Sequence, residues 1–111
     1  MSDKPIDRNR AETAIHYLAN TDAKLAELKT DAKRAELRVK KTRAAIFITS
    51  DGSVEQKKAI AETDDETKMA EENWLAAEQK YEDLRNRRET AVLVWEHWRS
   101  INSARTKGVV I

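Results

Sequence analysis

The densest cluster of side chains able to bind a ligand is cationic and lies within residues 33–43. At helical spacing these cations form two adjacent rows, Arg34, Arg38 and Lys41 in one and Lys33, Lys40 and Arg43 in the other. Glu36 is the only acid among them, and Phe47 follows one turn beyond Arg43. Such cations beside an aromatic ring can bind the phosphates and bases of a single strand. The alternative is an ordinary solvated face, since cations near a helix C-terminus are stabilised by the helix dipole.

Charge is segregated along a chain whose net charge is only +1. Residues 24–50 carry eight cations and three anions, whereas residues 51–79 carry three cations and nine anions. A polyanion would be attracted to the first of these segments and repelled by the second. Any binding face for a polyanion must therefore be local.

Other kinds of site find little support in the sequence. Cysteine is absent, and His16 and His97 have no nucleophile motif or metal-binding spacing beside them. The acidic run at residues 62–66 lacks the ligand pattern of a calcium loop and suits the first turn of a helix. With two glycines in the whole chain there is no phosphate-binding glycine loop. We therefore expect a protein that is not an enzyme and that uses no metal or cofactor.

Two further lysines follow the basic cluster in an acidic context. Lys57 and Lys58 are expected to pair with Glu55, Glu62 or Glu66 and not to contact a ligand.

An apolar heptad pattern in the first half of the chain predicts the helix that positions the basic cluster. We call it the first seam; its members are Ala11, Ala14, Leu18, Leu25, Leu28, Ala32, Ala35, Val39 and Ile46. It predicts one helix over about residues 9–48, capped by Asp7 or Asn9. An irregularity is expected at residues 20–22, because Asn, Thr and Asp compete with helix for backbone hydrogen bonds.

Capping signals place the turn and two further helices after the first. Gly52 accepts a left-handed conformation that ends a helix, and Ser53 with Gln56 has the spacing of a capping box. Thr63 with Glu66 repeats that spacing. A short helix over residues 54–62 and a long one over about residues 64–105 are predicted.

The third helix carries its own apolar pattern, the second seam, which Arg88 interrupts. Its members are Ala70, Trp74, Ala77, Tyr81, Leu84, Ala91, Trp95 and Trp98. The predicted fold is all-α, a long antiparallel, coiled-coil-like helical hairpin with a short connecting helix. Two helices leave apolar side chains uncovered, which favours a homo-oligomer. The expected oligomer interface is Val92, Leu93, Val94, Trp95, Trp98 and Ile101.

One domain is expected over residues 9–107, between a flexible N-terminus at residues 1–8 and an apolar C-terminal tail at residues 108–111. The first ten residues have no apolar signal region, and the longest apolar run is too short to cross a bilayer. A soluble intracellular protein without a membrane partner is therefore predicted.

Three stretches resemble the UvsY-type recombination mediators of tailed phages, small helical proteins that load a RecA-like recombinase onto single-stranded DNA. They are HYLANTDAKLAEL, VKKTRAAIFITSDG and WRSINSARTKGVVI. The family's Lys-x-Arg motif falls on Lys41 and Arg43, which the resemblance implies contact the DNA backbone. The resemblance also implies a ring-like homo-oligomer in the cytoplasm of an infected bacterium, in contact with the recombinase and with single-strand-binding protein.

Two functions are therefore open. The first is a non-enzymatic recombination mediator that binds single-stranded DNA through its basic cluster and helps the recombinase replace single-strand-binding protein. The second is a coiled-coil scaffold, adaptor or assembly chaperone that binds a partner helix through the apolar residues around 92–98 and does not touch nucleic acid.

Overall fold

The computed structural model describes residues 6–106, which form three α-helices and no strand. They are α1 (Arg8–Thr49), α2 (Val54–Thr63) and α3 (Asp65–Thr106). Each predicted helix end agrees to within one residue, and the all-helical class is confirmed. The predicted tail at residues 108–111 and residues 1–5 of the predicted N-terminal segment lie outside the described residues. No helix within residues 6–106 has the length and apolar character needed to cross a bilayer.

Contacts divide the described residues into two units. We call residues 6–25 with 83–106 the terminal unit and residues 26–82 the central unit. The predicted cation cluster and the turn lie in the central unit, whereas the expected oligomer interface lies in the terminal unit.

Of the two predicted caps, Asp7 and Asn9, it is Asp7 that caps α1: its carboxylate accepts a hydrogen bond from the Arg10 backbone N–H at 2.9 Å. The predicted irregularity at residues 20–22 is wrong, because α1 continues through it as regular helix. The Thr21 hydroxyl bonds back to the Tyr17 carbonyl at 2.7 Å, which leaves the backbone ladder intact.

The Arg88 side chain explains why polar residues are tolerated in this part of α1. Its guanidinium donates to the Leu18 carbonyl at 2.7 Å, to the Thr21 hydroxyl at 2.8 Å and to the Asp22 carboxylate at 3.0 Å. The Arg88 side chain is only 15% exposed. The residue that interrupts the second seam is therefore a half-buried cation with three acceptors, all on α1 of the terminal unit.

The turn between α1 and α2 has the chemistry that the sequence predicts. Gly52 has φ +116°, the only positive φ among residues 6–106. Ser53 caps α2 in a complete capping box: its hydroxyl accepts from the Gln56 N–H at 3.2 Å, and the Gln56 side chain accepts from the Ser53 N–H at 2.9 Å. A side chain at position 52 would also meet Gln56, so both the turn and the cap require glycine there.

The predicted second capping box, Thr63 with Glu66, is wrong. Asp64 takes the cap position instead, and its carboxylate accepts from the Glu66 N–H at 2.8 Å. The Thr63 hydroxyl bonds back to the Ala59 carbonyl at 2.7 Å, because Thr63 is still the last residue of α2. The acidic run thus ends one helix and begins the next, with Asp65 and Glu66 in the first turn of α3.

Both predicted seams are confirmed as the faces that lose solvent. Every residue of the two seams is buried or half-buried, and the most deeply buried apolar positions include Ala11, Ala32, Val39, Ala70 and Ala91. Alanine dominates this list because small side chains allow helix backbones to approach closely. The core is narrow in each unit.

Thr67, with no exposed surface, is a polar exception in the core of the central unit. Its hydroxyl has no hydrogen-bond partner among the described residues. A buried hydroxyl without a partner costs folding free energy, whereas a methyl group of the same shape does not.

We therefore expect Thr67→Val to raise the free energy of unfolding by about 1 kcal/mol. Thermal and urea unfolding followed by circular dichroism would measure it. Thr67→Ser is the matched control: it keeps the hydroxyl, loses a methyl group, and should lower stability. A valine variant less stable than wild type would show that the hydroxyl has a partner in solution.

Candidate nucleic-acid interface

α1 carries all six predicted cations as exposed side chains within one stretch of regular helix, residues 33–43. The first seam is turned toward the core of the central unit, and Ala32 and Val39 of that seam are 3% and 2% exposed. The cations therefore occupy the remaining, solvent-facing part of the same helix surface. They form the two predicted rows on this surface, which together we call the cation strip.

Two members of the strip have acidic partners. Lys40 Nζ lies 3.5 Å from a carboxylate oxygen of Glu36, one turn earlier on the same helix. Arg43 donates to Glu71 of α3 at 3.1 Å. The side chains of both pairs are well exposed, between 39% and 66%, so water and salt screen these ion pairs.

The other four cations, Lys33, Arg34, Arg38 and Lys41, make no hydrogen bond or ion pair within residues 6–106. Three of them form one row at helical spacing, Arg34, Arg38 and Lys41. A phosphate arriving at that row displaces no carboxylate. The resemblance singles out Lys41 and Arg43, and the structure places these two in different situations, since Arg43 already contacts Glu71.

Phe47 is half-buried at the end of the strip and is not the free ring that the sequence suggests. Lys57 of α2 holds its ammonium 5.7 Å from the centre of the Phe47 ring, in a cation–π contact. The predicted pairing of Lys57 and Lys58 with Glu55, Glu62 or Glu66 is absent from the described residues. The sharp turn at Gly52 returns the chain, so these lysines meet α1 instead.

A small pocket lies where α1 and α2 meet beside Phe47. Its volume is about 220 Å³, and its lining consists of Arg43, Ala44, Phe47, Lys58, Ala61 and Glu62. In the sequence, the acidic residues around Lys57 and Lys58 favour ion pairs for these two lysines. The turn signals at Gly52 and Ser53 are the features that indicate their return toward this end of α1.

The expected oligomer interface divides into exposed and half-buried residues. Leu93 is 67% exposed and Val92 39%. The other four are half-buried within the terminal unit: Val94, Trp95, Trp98 and Ile101. Trp95 and Trp98 stack on each other, with ring centres 5.6 Å apart. Packing within the terminal unit therefore already covers part of the surface that was expected to need a second copy of the chain.

An apolar groove of about 430 Å³ remains open beside Val92 and Leu93. Leu18 and Leu25 of α1 form its other wall, and the Arg88 side chain contributes to the lining.

Groups of three or more acidic or histidine side chains placed to hold a metal ion are absent from residues 6–106. Comparison with known proteins adds no relative: no family model, no curated protein and no solved structure matches this chain.

Proposed function

We propose that this protein is a non-enzymatic single-stranded DNA-binding protein that holds the phosphate backbone along the cation strip of α1. The observation that carries the proposal is the row of Arg34, Arg38 and Lys41, which is exposed and has no acidic partner within residues 6–106. Unpaired cations at regular spacing bind phosphates without reading sequence.

Electrostatics favour a strand confined to the strip. The segment that follows it, residues 51–79, has six more anions than cations, and its acids include the Asp64–Glu66 start of α3. A strand that left the strip toward these acids would be repelled. A flexible single strand can bend to avoid them, whereas a duplex is stiff on this scale. The charge pattern therefore favours single-stranded over duplex DNA.

The proposal includes an antiparallel hairpin of α1 and α3 and its assembly into a ring-like homo-oligomer. The exposed Val92 and Leu93, next to the open apolar groove, support self-association. A ring would place several strips along one strand, so that avidity raises a modest intrinsic affinity. By its resemblance to the UvsY-type mediators, the assembly would help a RecA-like recombinase replace single-strand-binding protein.

Salt dependence of binding tests the proposal. Fluorescence anisotropy with a labelled oligonucleotide should show binding at low salt, and the logarithm of the affinity should fall linearly with the logarithm of salt concentration. A slope of about −0.7 per phosphate contact predicts roughly −3 if four cations are engaged. Duplex DNA of equal length should bind more weakly. Failure to bind single strands at low salt, or binding that salt does not weaken, would reject the proposal.

The exposed apolar groove favours a second candidate, an adaptor or scaffold that docks a partner helix against Val92 and Leu93. The oligomeric state distinguishes the two. Under the first proposal, light scattering should give a closed oligomer, and Leu93→Glu should dissociate it because a charge cannot be buried there cheaply. Ala76→Glu, at an exposed position on α3 in the central unit, is the matched control and should leave the mass unchanged. A wild-type monomer would favour the adaptor.

A further inference from the structure

The pocket beside Phe47 combines an aromatic surface with cations in a space for one small ring. At about 220 Å³ it falls below the range of about 300–1,000 Å³ for drug-sized ligands. Ala44 and Ala61, with their small side chains, line it together with the half-buried ring of Phe47. All of its lining residues belong to the central unit.

Lys57 and Lys58 have separate relations to this pocket. Lys57 contacts the Phe47 ring at 5.7 Å and lies outside the pocket lining, so its contact holds the ring without filling the space. Lys58 lines the pocket and makes no ion pair within residues 6–106. Arg43, also in the lining, has further N–H donors beyond the one that Glu71 accepts. The pocket lining therefore combines two cationic side chains with an aromatic ring.

A ligand that uses all of these groups has a flat ring joined to anionic groups on either side. An inorganic anion would leave the ring of Phe47 without a contact, and an apolar ligand would leave the cations without one. A base in a single strand meets both requirements, because it carries a π-face and lies between two phosphates. A base in a duplex is stacked and paired, and so its face is not available.

We propose that this pocket binds one unstacked nucleobase, which stacks on Phe47 while Arg43 and Lys58 contact the neighbouring phosphates. The inference rests on the proposed binding of single-stranded DNA and adds a residue-specific base contact to it. The cation strip ends at Arg43, so the pocket continues the path of the strand from α1 onto α2. Glu62, also in the lining, can accept a hydrogen bond from an N–H of the base, such as N3–H of thymine.

Abasic DNA distinguishes binding in the pocket from binding along the cation strip. Wild-type protein would be titrated, at one salt concentration, with oligothymidylate and with an oligomer of equal length and charge that lacks bases. Stacking of one base on an aromatic ring predicts that oligothymidylate binds about fivefold to a hundredfold more tightly. Phe47→Leu should abolish that difference by lowering the affinity for oligothymidylate more than the affinity for abasic DNA.

A second variant tests the pocket independently, in case Phe47→Leu does not fold. Ala44→Leu adds bulk from an exposed position on α1, keeps Phe47, and should also abolish the preference for DNA that carries bases. Ala76→Leu adds the same bulk at an exposed position of α3 and should leave the preference intact.

The outcomes separate the pocket from the proposed function. If wild type binds both oligomers equally and in a salt-dependent way, the proposed base pocket is overturned, but the proposed binding of DNA along the cation strip is not. The inference would also be overturned if Phe47→Leu lowered both affinities equally, because the ring would then act through the fold. Binding of neither oligomer would overturn the pocket and the proposed function together.

Discussion

Replacing Arg88 by alanine is expected to lower the free energy of unfolding by about 3 kcal/mol, the largest loss that we expect from any single substitution. The guanidinium makes three hydrogen bonds and is 15% exposed, and water would replace poorly the two bonds to the part-buried Leu18 carbonyl and Thr21 hydroxyl. For a chain of this size the loss corresponds to a fall in Tm of about 10–20 °C. Calorimetry and denaturant unfolding would measure it.

Three further variants apportion that loss. Arg88→Met keeps most of the side-chain stem and removes the donors, so it isolates the hydrogen bonds from the packing. Arg88→Lys keeps the charge but lacks the planar fork, and should recover only part of the stability. Asp22→Ala should cost about 0.5 kcal/mol or less, because the Asp22 side chain is 78% exposed. An alanine variant that unfolds with wild type would show that these bonds do not form in solution.

Neutralising the row of Arg34, Arg38 and Lys41 together is expected to lower the affinity for single-stranded DNA about a hundredfold at 0.1 M salt. Each phosphate contact contributes about 0.7 to the salt slope, so three lost contacts reduce the slope by about 2 and the affinity by about two powers of ten. The alanine substitutions leave helical propensity intact. Salt titrations of wild type and variant, at constant temperature, would measure both quantities.

The matched control removes three cations elsewhere, by changing Lys68, Lys80 and Arg99 to alanine. These residues are exposed on α3, and their loss changes the net charge equally. If the two triple variants lose affinity to the same extent, net charge and not the strip determines binding. Arg43→Ala should have a smaller effect than Lys41→Ala, because the carboxylate of Glu71 already offsets part of the Arg43 charge.

The helices were predictable because their signals are local and repeated. Heptad spacing in both seams fixed which faces are covered, and Asp7, Gly52 and Ser53 fixed three helix boundaries through their own backbone and side-chain chemistry. Asp64 was missed because Thr63 and Asp64 are both good caps in adjacent positions. Only the length of α2 decides between them, since Thr63 remains its last residue.

The exposure of the candidate site could be predicted from the sequence, but the partners of its side chains could not. Periodicity put the six cations in two rows outside the first seam, but the partner of Arg43 is Glu71, 28 residues further along the chain. The contact of Lys57 with Phe47 likewise depends on how the turn directs α2. Such contacts arise from tertiary geometry, which spacing within one helix does not encode. The half-buried state of Val94 and Ile101, which lie off the second seam, has the same origin.

The position of Arg88 also has a consequence for register. In the alanine-rich seams of this chain, sliding one helix along another by a heptad would still bring apolar side chains together. A shift of seven residues in one direction would place Arg88 against Leu28 and Lys29, and in the other direction against Ala14 and Ile15, in place of Thr21 and Asp22. Neither set offers a side-chain acceptor to the guanidinium, and Lys29 repels it. The half-buried Arg88 thus distinguishes one alignment of the α1 and α3 segments of the terminal unit from its nearest competitors.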